Sequence, residues 1–218
     1  MYTVIFDMDG LLVDTEELWR KHMIKEFSSI GIDLSYEDCA VTAGMRIFDV
    51  SRHWVDYYKL RIDSDVVANK IITGVINNIA EEVSLKEGVI DMLGKVKSKG
   101  WKIGLASGSD LVVINEVLLN MKIDLFFDVI CSSEEVERGK PFPDVYQRAL
   151  NIIDASPGEA LAFEDSVNGL ISAVKSGMKT IYIPNEKVAQ QGMALSNATY
   201  SSMKDIGIDD LESIYRGS

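Results

Sequence analysis

Phe6-Asp7-Met8-Asp9-Gly10 is the stretch on which the reading of this chain turns. It follows a short apolar run, Tyr2-Thr3-Val4-Ile5-Phe6, that reads as a buried strand. Two aspartates, one residue apart, stand where that strand ends. In an open α/β sheet the carboxyl ends of the strands are where ligands bind. One carboxylate there can act as a nucleophile and hold a cation while the other moves protons, a division of labour that suits phosphoryl transfer. The competing reading is structural: a strand followed by an Asx-type turn that Gly10 closes.

Three later segments have the same form, an apolar run leading to polar residues. Lys102-Ile103-Gly104-Leu105-Ala106 leads into Ser107-Gly108-Ser109-Asp110. Val129-Ile130-Cys131 is followed by Gly139-Lys140-Pro141-Phe142-Pro143-Asp144. Ala160-Leu161-Ala162-Phe163 leads into Glu164-Asp165-Ser166. Taken together, Asp-x-Asp, a Ser, a Lys and an acidic pair in this order resemble the four motifs of the haloacid dehalogenase-like hydrolases. The resemblance runs over essentially the whole chain.

Strands are expected around 2–6, 102–106, 129–131, 160–163 and 180–183. Between the later ones lie stripes at helical spacing: Val89, Met92 and Val96; Val113, Val117 and Met121; Val145, Ala149 and Ile152; Leu170 and Val174. Alternating strands and helices predict an α/β fold with a doubly wound parallel sheet. Gly100 and Gly177 stand where left-handed helix C-caps are expected. Residues 15 to about 83 break the alternation and carry no convincing strand. Trp19, Met23, Phe27 and Ile30 form one stripe there, which Gly31 ends. Ile47, Val50, Trp54 and Tyr57/Tyr58 form another, and Ile72, Ile76, Ile79 and Val83 a third. The expected organisation is a core of residues 1–14 and 84–218, with residues 15–83 as an all-helical insertion. In the family this insertion corresponds to a cap, hinged here near Leu12-Val13-Asp14 and Val83-Ser84-Leu85.

Composition narrows the function. The 218 residues are 47% hydrophobic, enough for a sizeable core. With 22 Lys plus Arg against 34 Asp plus Glu the formal charge is −12, a poor match for nucleic acid. No apolar run approaches the roughly 18 residues of a membrane span. Cys39 and Cys131 form no Cys-x-x-Cys motif, so a reducing, cytoplasmic setting is expected. The chain begins without a basic segment and apolar run of the secretory kind. The expected partner is a small phosphomonoester, with neither nucleic acid nor membrane, and the expected state is a monomer.

The resemblance implies roles for particular residues. Asp7 is the nucleophile. Asp9 is the general acid that protonates the departing alkoxide, then the base for the hydrolytic water. A carboxylate approaching a phosphate dianion meets repulsion of about 4 kcal/mol per unit-charge pair at 4 Å and an effective dielectric near 20. Cations must offset this. Oxygen-only ligands suit Mg²⁺, and the family correspondence gives its protein ligands as the Asp7 carboxylate, the Asp9 carbonyl and the Asp165 carboxylate. Glu164 stands as a second layer or an alternative ligand. Glu164-Asp165-Ser166 also reads as a helix N-terminus, where acidic residues are favoured. Lys140, set between prolines, is the second cation; the structural alternative is a solvated loop lysine. Met8, Ser107 and Gly108 are the further phosphate contacts, and Ser107 also reads as the N-cap of a helix. Arg46, in Gly44-Met45-Arg46, is an expected substrate contact. His22 and His53 read as surface or cap-packing residues, and Trp19 and Trp54 as cap core rather than a sugar platform.

Within the family the chain resembles β-phosphoglucomutases and the 2-deoxyglucose-6-phosphate or hexitol-phosphate phosphatases. The mutases carry a His a few residues after the Asp-Thr pair, where this chain has Leu18-Trp19, and a Lys or Arg after the Ser-x-Ser turn, where it has Asp110. Both departures point to hydrolysis of a monophosphate, with phosphosugar mutation as the alternative. Asp110 is expected to face a second phosphate and repel it.

Overall fold

The computed structural model describes residues 2–184 and 190–216. Its centre is a six-stranded, all-parallel sheet: β1 (Thr3–Phe6), β2 (Lys102–Ser107), β3 (Val129–Ser132), β4 (Ala160–Glu164), β5 (Lys179–Tyr182) and β6 (Ala198–Thr199). The spatial order is β3-β2-β1-β4-β5-β6. The five expected strands are all present. The sixth, two residues at the sheet edge, is too short to show a periodicity.

All four residues of β1 are buried, because the sheet is covered on both faces. Their side chains alternate between two cores. Val4 and Phe6 join the larger core, while Ile5 joins a second one with Val145, Tyr146, Ala149 and Leu150. The core helices are α6 (Val89–Ser98), α7 (Leu111–Met121), α8 (Asp144–Ile153), α9 (Val167–Lys175), α10 (Gln190–Met193) and α11 (Ile208–Arg216), numbered after the five helices of the insertion. In α8 the buried stripe runs through Tyr146, Leu150 and Ile153, and Ile152 is exposed. In α9 it runs through Leu170 and Ala173, leaving Val174 exposed. Val145, Ala149 and Leu170 are buried as expected, and only the last residue of each stripe is off by one position. Gly100 and Gly177 have φ of +69° and +84°, just past the C-caps of α6 and α9.

Between β1 and β2 lie only helices: α1 (Glu16–Ser28), α2 (Tyr36–Val41), α3 (Ile47–Tyr57), α4 (Ser64–Ile76) and α5 (Ile79–Glu82). A capping box, Ser35 with Asp38, starts α2. The stripe from Ile72 to Val83 is divided between α4 and α5. The two chain crossings lie side by side. Val13 pairs with Leu85 in an antiparallel bridge, Asp14 N donates to Ser84 O, and Lys86 N donates to Leu12 O, both at 2.9 Å. No helix among the described residues is long and apolar enough to cross a membrane.

Candidate active site

β1 sits at the centre of the sheet, paired with β2 on one side and β4 on the other. Phe6 is in register with Leu105 and Phe163, so Asp7, Ser107 and Glu164 emerge together at the carboxyl ends of three adjacent strands. This is the crevice that doubly wound sheets use for ligands. Beyond Phe6 the chain turns sharply. The carbonyl of Met8 accepts from the N–H groups of Leu11, Leu12 and Val13.

Asp7 is buried, and Lys140 Nζ donates to its Oδ1 at 2.8 Å. The same ammonium donates to Glu164 Oε1 at 2.6 Å. Tyr146 adds its hydroxyl to Glu164 Oε1 at 2.5 Å, and Ser166 Oγ lies 3.3 Å from Oε2. Carboxylate oxygens of Asp7, Glu164 and Asp165 lie within 4.8 Å of one another, all three residues buried. Burial, followed by the Glu164 charge, pushes the Asp7 carboxyl up to about 7 against the pull of Lys140. Burial, then Asp7 and Glu164, raises Asp165 well above the usual carboxylate range. Burial works against the Lys140 charge, but Asp7 and Glu164 outweigh it and hold the ammonium above its ordinary value. Three buried carboxylates against one ammonium leave negative charge in excess. Such an all-oxygen donor set fits a divalent cation.

Asp9 sits in a different environment. Its Oδ1 accepts from Thr15 Oγ1 at 2.7 Å and Trp19 Nε1 at 2.8 Å. Its Oδ2 accepts from Ser109 Oγ at 2.7 Å and Ser107 Oγ at 3.3 Å. Two aspartates one residue apart are thus held by different chemistry, Asp7 by an ammonium and Asp9 by hydroxyls and an indole. Trp19, Thr15 and Ser109 are the polar partners that sequence reasoning missed. Trp19 fell within a stripe at helical spacing, which marks a core residue just as well.

A cavity of about 110 Å³ lies between the strand ends and the inserted helices. Asp7, Asp9, Gly108, Ser109, Asp165 and Ser166 form its floor. Its roof is largely apolar, with Trp19, Met23, Ile47 and Val50, and Glu16 and Arg20 of α1 supply charge. The loop between α2 and α3 is in close contact with the floor: Asn168 Nδ2 donates to Ala43 O at 3.0 Å, and a Cβ on Gly108 would lie 3.1 Å from Gly44 O.

Four of the expected residues sit in surroundings that the sequence did not show. Ser107 ends β2 and is fully buried with its hydroxyl toward Asp9; the N-cap of α7 is Asp110. The Met8 side chain is in the hydrophobic core, so only its backbone is left to meet a ligand. Arg46 does not line the cavity. It grips Asp49 through two bonds of 2.9 and 3.0 Å and reaches the carbonyls of Ser133 and Val136. Asp110 does not line it either, and is buried with Glu134 and Arg46 as charged neighbours. His22 and His53 lie within the helical insertion, His53 against Trp54 and Tyr57. Trp54 is buried there as expected.

Hexitol phosphatase B of Escherichia coli O157:H7 is 32% identical over 210 residues, covering 95% of each chain. The crystal structure of CbbY from Rhodobacter sphaeroides in complex with phosphate superposes with a TM-score of 0.88 at 25% identity, over 97% of this chain and 100% of that one. The β-phosphoglucomutase of Clostridium difficile shares the fold, with a TM-score of 0.88 at 19% identity over 100% of this chain and 98% of that one. The haloacid dehalogenase-like hydrolase profile matches residues 4–183, and the chain belongs to that family.

Proposed function

We propose that this protein is a Mg²⁺-dependent phosphatase that hydrolyses small sugar or polyol monophosphates through an aspartyl-phosphate on Asp7. The observation that carries this is the pairing of environments at one cavity: Asp7 beside a buried ammonium and two further carboxylates, Asp9 among donors. Asp7 attacks phosphorus, and Asp9 protonates the departing alkoxide and then draws a proton from the hydrolytic water. Lys140 holds Asp7 in place and offsets charge on the phosphoryl group. The backbone of Met8 and the Gly108 turn complete the phosphate seat. The Asp7 and Asp165 carboxylates and the Asp9 carbonyl would hold Mg²⁺, with Glu164 Oε2 as the remaining oxygen beside them. The ion supplies charge neutralisation at the phosphoryl oxygens.

Residues 15–83 act as a cap that excludes water and selects the leaving group, hinged at the paired crossings by Val13 and Leu85. The relative named hexitol phosphatase B supports a polyol or sugar phosphate as substrate. The cavity is smaller than the roughly 300–1,000 Å³ of drug-sized ligand sites, which favours a compact substrate. A second phosphate finds little support. Arg46 is committed to Asp49 and to core carbonyls, and Arg20 is paired with Glu16 at 3.4 Å. A mutase working through a bisphosphate is therefore the poorer fit. Two free, buried cysteines suit a cytoplasmic setting, where we place the enzyme as a monomer.

The test is phosphate release from a panel of hexose, pentose and hexitol monophosphates, set beside conversion of β-glucose 1-phosphate to glucose 6-phosphate with a bisphosphate activator present. Release from a monophosphate with little isomerisation is expected. Efficient isomerisation would replace this reading with the mutase.

A further inference from the structure

The four donors around Asp9 are not equivalent. Thr15, Ser107 and Ser109 approach through hydroxyls, which donate or accept as needed. Trp19 approaches through an indole N–H, which only donates. Oδ1 of Asp9 is therefore held as an acceptor at 2.8 Å, whatever the state of the rest of the carboxyl group. A proton on Oδ1 could be received only by Thr15 Oγ1, because the indole N–H fills the other direction and cannot accept. Oδ2 meets only the hydroxyls of Ser109 and Ser107, which can rotate to receive a proton. The geometry also links this contact to the cap. Trp19 belongs to α1, its ring lines the cavity beside Met23, and Asp9 belongs to the floor.

We propose that Trp19 is a positioning residue for Asp9: its indole N–H pins Oδ1 and leaves Oδ2 as the oxygen that delivers the proton. This rests on the reading of Asp9 as the general acid. In the step concerned, the P–O ester bond breaks and its electron pair goes to the bridging oxygen. The proton passes from Oδ2 to that oxygen, and the carboxylate left behind keeps its bonds to Trp19 and Thr15. Seating α1 on the core and orienting the acid then become one event. A ring that served only as a cavity wall would have no use for the N–H.

Phenyl phosphate and p-nitrophenyl phosphate are of similar size, but phenolate needs protonation on departure far more than p-nitrophenolate does. Both are to be assayed with Trp19→Phe, with Trp19 replaced by the isosteric benzothienylalanine (sulfur in place of N–H), and with Asp9→Asn. The isostere guards against a packing defect in Trp19→Phe. Both Trp19 variants are expected to lose roughly tenfold more kcat/KM on phenyl phosphate than on p-nitrophenyl phosphate, a fraction of the ~10²–10⁴ that general acids contribute. Equal losses on the two substrates in the isostere, with Asp9→Asn still discriminating between them, would overturn the role of Trp19 and leave the acid standing. Equal losses in Asp9→Asn itself would remove the acid role and the inference with it.

Discussion

Lys140 and Glu164 form an ion pair at 2.6 Å in which neither side chain is exposed to solvent. Lys140 reaches Asp7 from the same position, so one ammonium serves two carboxylates. Removing it strands both charges in the interior, a loss that usually costs about 3–5 kcal/mol. Lys140→Met is expected to lower unfolding stability at pH 8 by this order and to abolish turnover. Urea denaturation checks the first effect and phosphate release the second. A variant with unchanged stability would show that the pair contributes nothing to the fold.

Gly169 lies where the Glu164 carboxylate needs room. A Cβ at residue 169 would fall 2.0 Å from Glu164 Oε1 and 2.1 Å from Oε2. Gly169→Ala must push Glu164 away from Lys140 and Tyr146, with an expected cost of about 1–3 kcal/mol and a loss of activity. Gly94, inside α6 with nothing within 4 Å of its added Cβ, supplies the contrast. Gly94→Ala should stabilise by about 0.5–1 kcal/mol through helix propensity and leave activity alone. Thermal melts of the two variants, shifted in opposite directions, are the expected result.

Asp110 provides a pH signature away from the reacting groups. Burial and then Glu134 push its carboxyl up to about 6, against the pull of Arg46, and its Oδ1 is buried without a hydrogen-bond partner. The folded protein thus keeps a proton that the unfolded chain releases near pH 4. Asp110 therefore lowers stability as the pH rises from about 4 to about 6, and the penalty is complete above that window. Asp110→Asn should stabilise by about 1–3 kcal/mol at pH 8 and have little effect at pH 4. Equal shifts at both pH values would show that the effect is not ionic.

Much of this was legible in the chain because the sheet and its chemistry leave strong local marks. Thr3–Phe6 is a short apolar run bounded by a turn, and Asp7 stands at its end because every parallel strand in this fold points its carboxyl end at the crevice. Glu164 and Asp165 follow β4 for the same reason. What stayed hidden depends on tertiary contacts. The partners of Asp9 come from residues 15, 19, 107 and 109, separated by up to 100 positions, and no spacing rule connects an indole on α1 to that carboxylate. Arg46 is the kind of residue that contacts a substrate, yet it is the N-cap of α3, and Asp49 in the first turn of that helix captures its guanidinium. Ile152 and Ile153 are adjacent apolar residues, and only packing against the sheet decides which is buried.

With Asp7 and Asp165 as the proposed ligands, stability should depend on Mg²⁺ in a pH-dependent way. In the metal-free protein Asp7 and Asp165 hold protons to higher pH than the unfolded chain does, so stability falls as the pH rises from about 4 toward 7. Mg²⁺ needs those carboxylates ionised. Adding Mg²⁺ to chelator-treated protein should therefore raise Tm more at pH 8 than at pH 5, and chelation should abolish turnover until Mg²⁺ returns. Scanning calorimetry with and without Mg²⁺ at the two pH values checks this. The absence of any Mg²⁺-dependent shift at pH 8 would contradict the assignment of Asp7 and Asp165 as ligands.

Hydrolysis by this route passes through a covalent bond between phosphorus and the Asp7 carboxylate. It is tested most directly by quenching the enzyme during turnover, reducing with borohydride and mapping the peptides by mass spectrometry. An acyl phosphate is reduced to an alcohol, so an aspartyl-phosphate at residue 7 would appear as homoserine at that position. Homoserine is expected at residue 7 in the active protein and none in Asp7→Asn, which should fold normally and fail to turn over. Homoserine at another aspartate, or substantial hydrolysis by Asp7→Asn, would contradict it.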